Sequence, residues 1–244
     1  WPEGPPPDLA IGAGRRSAPV VAALGEAGAR TVQLLDPRMA PSAFDLVAAP
    51  AHDRLTAPNA VATLGSVGRI TPARIAEAAE ALRETLAPMP GPRVAVLLGG
   101  PSKSARWEEA DTARLADGLA RVAEGHTLLV TPSRRTPGSL TRALRDAIPA
   151  ARLWLWDGTG PNPYPGILGL AEAVVVTEDS VNMTSEAAAS GLPVHVAPVA
   201  RIAPKMRAFH DEMAARGITR PFAGEIGAWS CPPLAEADRL AGIV

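Results

Sequence analysis

The residues best spaced for chemistry lie within 173–196, AVVVTEDSVNMTSEAAASGLPVHV. A polar turn at Glu178, Asp179 and Ser180 precedes a short helical pattern over 181–190, which Gly191 and Pro193 bring to an end. Backbone N–H groups at such a helix start attract an anion. Glu186 follows Ser180 by six residues, close to two helical turns, so its carboxylate can face the same crevice from deeper in. Similar groups recur at the ends of other apolar runs. Gly99, Gly100, Pro101, Ser102, Lys103 and Ser104 follow the run 94–98. Small residues and one lysine there let backbone amides approach a phosphate, or merely make a turn. The Gly-Lys-Ser/Thr ending of a P-loop is missing, which disfavours an NTPase. Arg134 and Arg135 follow HTLLVT, and Asp157 to Tyr164 follow the run 153–156. Nearer the N-terminus, Gly14, Arg15 and Arg16 form either an anion-holding turn or simply a tight one. His52 and Asp53 close another strand, where a His-Asp pair can serve as a general base or tie a loop together. Lys205, at the start of a later helical pattern, is a further anion-binding candidate.

An α/β scaffold must position these groups. The run 173–177 is continuously apolar and rich in β-branched residues rather than alternating, which suits a parallel strand covered on both faces. The stretch 173–196 therefore reads as a βαβ crossover. Further strands are expected ending at Ile11 and at 31–35, 45–49, 60–64, 94–98 and 153–156. Ser17 is expected to cap a helix. Thr71-Pro72 opens an amphipathic helix to about Leu86, with Ile75, Ala79, Leu82 and Leu86 on one face. The segment APMPGP, 87–92, cannot continue a helix or join a central strand, so the domain boundary is expected there. Beyond it, four strands end in polar clusters, on one edge of the sheet if the connections are right-handed. That convergence favours a ligand crevice over solvated loops. In the helical pattern 205–216, Phe209 and Met213 stand at i and i+4 and are expected in the core.

Composition narrows the function classes. A net charge of −1 and nine aromatic residues (five Trp, three Phe, one Tyr) give neither the field nor the stacking platform for nucleic acid. One cysteine, Cys231, excludes an intrachain disulfide framework and a Cys-based zinc site; no metal site is expected. No apolar run approaches the roughly 18 residues needed to span a bilayer. Cytoplasmic placement is the expectation, with peripheral membrane contact left open. The chain opens on Trp1 without a methionine and soon enters a strand at Asp8, so an upstream segment is expected.

At this point the residues carry a resemblance. Met183 to Pro193, MTSEAAASGLP, looks like the nucleotide-sugar motif of GT-B glycosyltransferases, and Leu98 to Ser102 resembles the Gly-rich loop that opens their C-terminal domain. The ordered set GAGRRSAP, QLLDPR, LLGGPSKS, TPSRRTP, WDGTGPNPY and VVVTEDSVNMTSEAAASGLPV more closely resembles the mitochondrial fission Elm-type family, whose bacterial members have carried a nucleoside-diphosphate-sugar epimerase label. The resemblance implies a GT-B-like α/β protein, two Rossmann-type domains with parallel sheets facing across a cleft, and a first βα unit upstream of Trp1. It also implies a nucleotide or nucleotide-sugar in that cleft, as substrate and without a resident cofactor, and an acceptor the residues do not identify. By carry-over, Glu186 accepts hydrogen bonds from ribose, while the amides of Ser180, Val181 and Asn182 and the loop from Gly99 to Ser104 face the diphosphate. Arg134, Arg135, Asp179 and Ser185 complete the expected nucleotide-sugar-binding set, with His52 or Asp53 as catalytic base. Glu178 and Asp179 depart from the glycines found there in many GT-B enzymes, and their charge opposes a diphosphate unless they point away or bind a cation. The expected domains are 1–88, 89–232 and a closing helical segment, 233–244, crossing back to the first. Glycosyl transfer, nucleotide-sugar epimerisation and a non-enzymatic fission-type adaptor are the functions this implies.

Overall fold

The computed structural model describes residues 4–244. Trp1, on which the expectation of an upstream unit turns, lies outside them. The chain divides into two compact units, one running to Val67 and taking in Glu236–Val244, the other Gly68–Ala235.

In the first unit, β1 (Leu9–Ala13), α1 (Ala18–Glu26), β2 (Arg30–Leu34), β3 (Leu46–Pro50) and β4 (Ala60–Thr63) build a four-stranded sheet. The strands pair in sequence order and all in parallel. A Cβ on Gly12 would come within 2.5 Å of Val21 Cγ2, so the close seating of α1 on β1 requires glycine there. Ser17 stands at the N-cap of α1, yet its hydroxyl donates to the Gly14 carbonyl (2.9 Å) instead of accepting from the helix. Buried Gln33 donates to that carbonyl as well (3.1 Å), so the turn is stabilised by its carbonyl.

The second unit starts with α2 (Pro72–Leu86), which Thr71 caps by accepting from the Arg74 amide (3.3 Å). There follow β5 (Arg93–Leu98), β6 (Ala105–Arg106), α3 (Glu109–Ala123), β7 (Thr127–Pro132), α4 (Gly138–Ala147), β8 (Leu153–Leu155), α5 (Tyr164–Leu170), β9 (Ala173–Thr177), α6 (Val181–Ala188), β10 (Val194–Ala197), β11 (Arg201–Ile202), α7 (Pro204–Ala215) and β12 (Thr219–Pro221). Six strands form a parallel sheet in the order β12-β10-β9-β5-β7-β8. Alternation along β5 divides its side chains between two cores. Val94, Val96 and Leu98 pack with Leu115, Leu119, Leu140 and Leu144 from α3 and α4, while Ala95 and Leu97 pack with Ile167, Leu168 and Ala187 from α5 and α6. β9 lies between β5 and β10 and is buried at every residue, which explains its unbroken apolar sequence. Phe209 and Met213 of α7 lie in the core as their spacing predicts.

The break between the units falls after Val67 rather than at the prolines of 87–92. α2 stays with the second unit because α5 meets it through glycines. A Cβ on Gly166 would lie 2.5 Å from the Ala78 carbonyl oxygen, and one on Gly169 would lie 2.7 Å from Ala79 Cβ. The closing helix, α8 (Glu236–Ala241), counts with the first unit, where Glu236 accepts from the Leu64 amide (3.1 Å) and Arg239 donates to the Ala62 carbonyl (2.7 Å). Among the described residues no helix is long and apolar enough to cross a membrane.

Candidate functional site

A cavity of about 530 Å³ opens in the second unit where β5, β7 and β8 end. That volume suits a small-molecule ligand. Its floor includes Leu98 and Thr131, at or near the ends of β5 and β7, and Trp156 just beyond β8. Tyr164 and Pro165 from the start of α5 and Met183 and Glu186 from α6 form one side, and Arg69, Ile70 and Arg74 from the approach to α2 form another. Ser133, Arg134 and Asn162 complete the lining. Three arginines and one glutamate thus line the cavity, an excess of positive charge that suits an anionic ligand.

Glu186 lies on the face of α6 that Met183 shares one turn earlier. Burial raises its carboxyl above the ordinary glutamate value, and a hydrogen bond with the Tyr164 hydroxyl acts in the opposite direction. Burial and then the nearby Glu186 charge push the Tyr164 phenol well above the usual tyrosine value.

The acidic pair before α6 turns away from this cavity. Asp179 has a wholly buried side chain that accepts from the Gly100 amide (2.9 Å) and the Thr177 hydroxyl (2.6 Å) and pairs with Arg135 (3.2 Å). Glu178 accepts from the Val199 amide (2.8 Å) and pairs with Arg207 (3.2 Å), while its backbone carbonyl meets His210 Nε2 (2.8 Å). Both carboxylates are absorbed by protein partners, so neither opposes an anion from the strand end.

The same contacts revise the expected phosphate loop. The Gly99 amide donates to Thr177 Oγ1 (2.8 Å) and the Gly100 amide to Asp179, so neither points at a ligand. Their lack of side chains serves packing: a Cβ on Gly99 would fall 2.2 Å from the Asp179 carboxylate, and one on Gly100 1.9 Å from the Arg135 carbonyl oxygen. Arg135 donates to the Gly100 carbonyl (2.8 Å) as well as to Asp179, so it braces the loop instead of lining the cavity. Ser102 and Lys103 are exposed, and with Ser104 they make a surface turn, the Ser102 amide donating to the Ala105 carbonyl (2.9 Å) and the Ser104 amide to Ser102 Oγ (3.1 Å).

The remaining expected residues are dispersed. Ser180 caps α6 by accepting from the Met183 amide (3.3 Å), and Ser185 turns its hydroxyl back onto the Val181 carbonyl (2.8 Å). Val181 packs against the cluster of Val199, Ile202 and Met206, and Asn182 is exposed. Lys205 is exposed at the start of α7. In the first unit, the Gly14 amide is taken by the Leu34 carbonyl (2.8 Å), Arg15 and Arg16 are exposed, and His52 and Asp53 lie in a single 3-10 turn after β3. Of the expected ligand-binding residues, Arg134 and Glu186 line the cavity together. Its other polar walls, Arg69, Arg74, Trp156, Asn162 and Tyr164, were not singled out one by one, although WDGTGPNPY marked the last three as a polar strand end. Among the described residues no group of three or more His, Cys, Asp or Glu side chains is arranged to hold a metal ion.

Comparison with known proteins gives a consistent picture. A family model described as mitochondrial fission ELM1 matches residues 1–244. The mitochondrial fission protein ELM1 of Arabidopsis thaliana is 31% identical over 238 residues, covering 86% of this chain and 56% of that protein. The chain therefore spans little more than half the length of that relative. Among solved structures, the UDP-GlcNAc 2-epimerase of Methanocaldococcus jannaschii in complex with UDP-GlcNAc and UDP is similar at a TM-score of 0.57 and 14% identity, over 97% of this chain and 75% of that one. MurG of Acinetobacter baumannii is similar at a TM-score of 0.52 and 14% identity, over 88% of this chain and 59% of that one. At such identities the likeness is one of fold, and the fold is GT-B-like.

Proposed function

Since the chain belongs to the mitochondrial fission ELM1 family, we propose that its second unit binds a nucleotide-sugar in the 530 Å³ cavity and that the whole protein transfers the sugar to an acceptor. The observation that carries this reading is the convergence of Glu186 with Arg69, Arg74 and Arg134 in one cavity. Glu186 accepts hydrogen bonds from the ribose hydroxyls, the arginines meet the diphosphate, and Trp156, Ile70 and Met183 offer apolar surface to the base. In the transfer, the bond from the anomeric carbon to the diphosphate oxygen breaks and the nucleoside diphosphate leaves with its electron pair. An acceptor hydroxyl bonds to that carbon and gives its proton to a base, for which His52 and Asp53 are the candidates. Epimerisation of the same donor is a second reading, favoured by the likeness of fold to UDP-GlcNAc 2-epimerases. A fission-type adaptor without catalysis is the third, favoured by the family description.

Thermal shift of the full protein against nucleoside diphosphates and their sugars, beginning with UDP and UDP-GlcNAc, tests the binding on which the first two readings depend. A ligand at a hundred times its Kd stabilises the native state by about 2.7 kcal/mol. The expected result is a shift with one nucleotide family that Glu186→Ala abolishes. A shift that survives Glu186→Ala removes the ribose assignment, and no shift with any nucleotide leaves the adaptor reading.

A further inference from the structure

A second cavity, of about 260 Å³, lies in the same unit where α3 passes the ends of β10 and β12, and it shares no lining residue with the first. Arg114, Gly118 and Arg121 stand at i, i+4 and i+7 of α3, so all three share one face of the helix. The two arginines are two turns apart, roughly 10.5 Å along the axis. At one end, Arg114 Nη2 donates to the Pro198 carbonyl (3.1 Å) and to the buried Asp111 carboxylate, which anchors the side chain and leaves Nε and Nη1 for a ligand. At the other, Arg121 lies across Gly224, where a Cβ would fall 2.1 Å from its Nη2. Its guanidinium makes no hydrogen bond or ion pair among the described residues. Between the arginines the wall is apolar, made by Leu115, Ala197 and the ring of Phe222. Glycine inside a helix is destabilising relative to alanine, and at 118 it makes room for that ring: a Cβ there would lie 2.9 Å from Phe222 Cε1. The Phe222 amide donates to the Val196 carbonyl (2.9 Å), so the ring stands on backbone tied to β10. Among the described residues no aspartate or glutamate lines the cavity itself.

We infer that this cavity is a second ligand site, for a small organic dianion whose two anionic groups stand at opposite ends of an apolar body. Each half of that description answers to part of the lining. An arginine at either end matches a carboxylate or phosphate in charge and in its forked geometry. The ring and aliphatic groups between them take a flat hydrocarbon body out of water. The volume equals the share of about nine water molecules in the liquid, room for a benzene ring carrying two carboxylates. The site does not depend on the nucleotide reading of the first cavity.

The test reads binding at the site itself. The chain has three phenylalanines, Phe44, Phe209 and Phe222, so isotope-labelled phenylalanine gives three ring signals, and Phe222→Leu assigns the one that matters. Benzene-1,4-dicarboxylate, benzoate and inorganic phosphate are titrated into the full protein, with Kd taken from the movement of the Phe222 signal. The dicarboxylate should bind about tenfold more tightly than benzoate or phosphate, each of which matches only part of the site. Arg121→Gln, at a side chain with no protein hydrogen bond to lose, should bring the dicarboxylate down to the level of benzoate. A Phe222 signal that the dicarboxylate leaves unmoved overturns the proposal, as does an equal affinity for benzoate or for phosphate, or an unchanged dicarboxylate affinity in folded Arg121→Gln. Should Arg121→Gln fail to fold, Gly118→Ala takes its place. Its added methyl meets the Phe222 ring and should weaken the dicarboxylate about tenfold or more; an unchanged affinity there overturns the proposal as well.

Discussion

Asp179→Ala removes the acceptor that binds two chain segments far apart in sequence, and its cost follows from what is left behind. The Gly100 amide, buried at 2.9 Å from the carboxylate, loses its acceptor, which costs about 1–3 kcal/mol. The Thr177 hydroxyl, 2.6 Å away, keeps the Gly99 amide as its donor but loses its own acceptor, roughly another 1 kcal/mol. Arg135 contributes less, because its side chain is 42% exposed and can turn to water; pairs of that exposure are worth about 0–1 kcal/mol. The expected loss is therefore about 2–5 kcal/mol, which for a unit of this size lowers Tm by roughly 4–20 °C. Asp179→Asn keeps the shape and one acceptor oxygen but sets an amide NH2 against one of the donors, so about half of that loss is expected. Urea unfolding followed by tryptophan fluorescence suits the measurement, since Trp107, Trp154, Trp156 and Trp229 all lie in the second unit. Nucleotide affinity below the transition should stay within about threefold of wild type, because the carboxylate points away from the cavity. A loss of under about 1 kcal/mol for Asp179→Ala, or loss of nucleotide binding by a fully folded Asp179→Asn, would refute this account.

Two further outcomes follow from the charges of the cavity. Burial raises the Glu186 carboxyl, so the ligand-free fold is favoured by its protonated form; that contribution is complete below the ordinary value of 4.5 and is lost as pH rises through the raised one. Glu186→Gln should therefore unfold at a higher temperature than wild type at neutral pH, with the two melting curves converging as pH falls to about 4.5, while nucleotide binding is lost. Replacing Arg69, Arg74 or Arg134 by alanine should weaken diphosphate binding about tenfold or less and flatten its dependence on salt, measured by titration calorimetry at two ionic strengths.

The sheets were legible in the sequence because their strands carry their own signal. β9 reads as a buried parallel strand from its β-branched run, and Glu186 lines the cavity with Met183, which stands three residues earlier on the same face of α6. Side-chain direction at the strand ends was not legible. Whether Asp179 faces a ligand or the protein depends on Gly100 and Arg135, which lie 79 and 44 residues away in sequence. Gly99 and Gly100 have the composition of a phosphate loop, but composition does not reveal that their amides are already bonded. Arg69 and Arg74 escaped notice because cations at the start of an amphipathic helix ordinarily read as solvated. The prolines of 87–92 drew the boundary away from them, although a break in secondary structure need not be a break in packing.

The glycine seam between α2 and α5 sets the mechanical character of the cavity. Arg74 stands near the start of one helix and Tyr164 opens the other, while Gly166 and Gly169 bring the two backbones together along their length. Leu82 and Ile75 of α2 fill the space that side chains at the two glycines would need, so the helices interlock and their spacing is set before any ligand enters. The opening between Arg74 and Tyr164 thus works as a caliper whose jaws are set at one gauge. A methyl group added at the seam, away from any ligand, would reset the gauge for every molecule that enters.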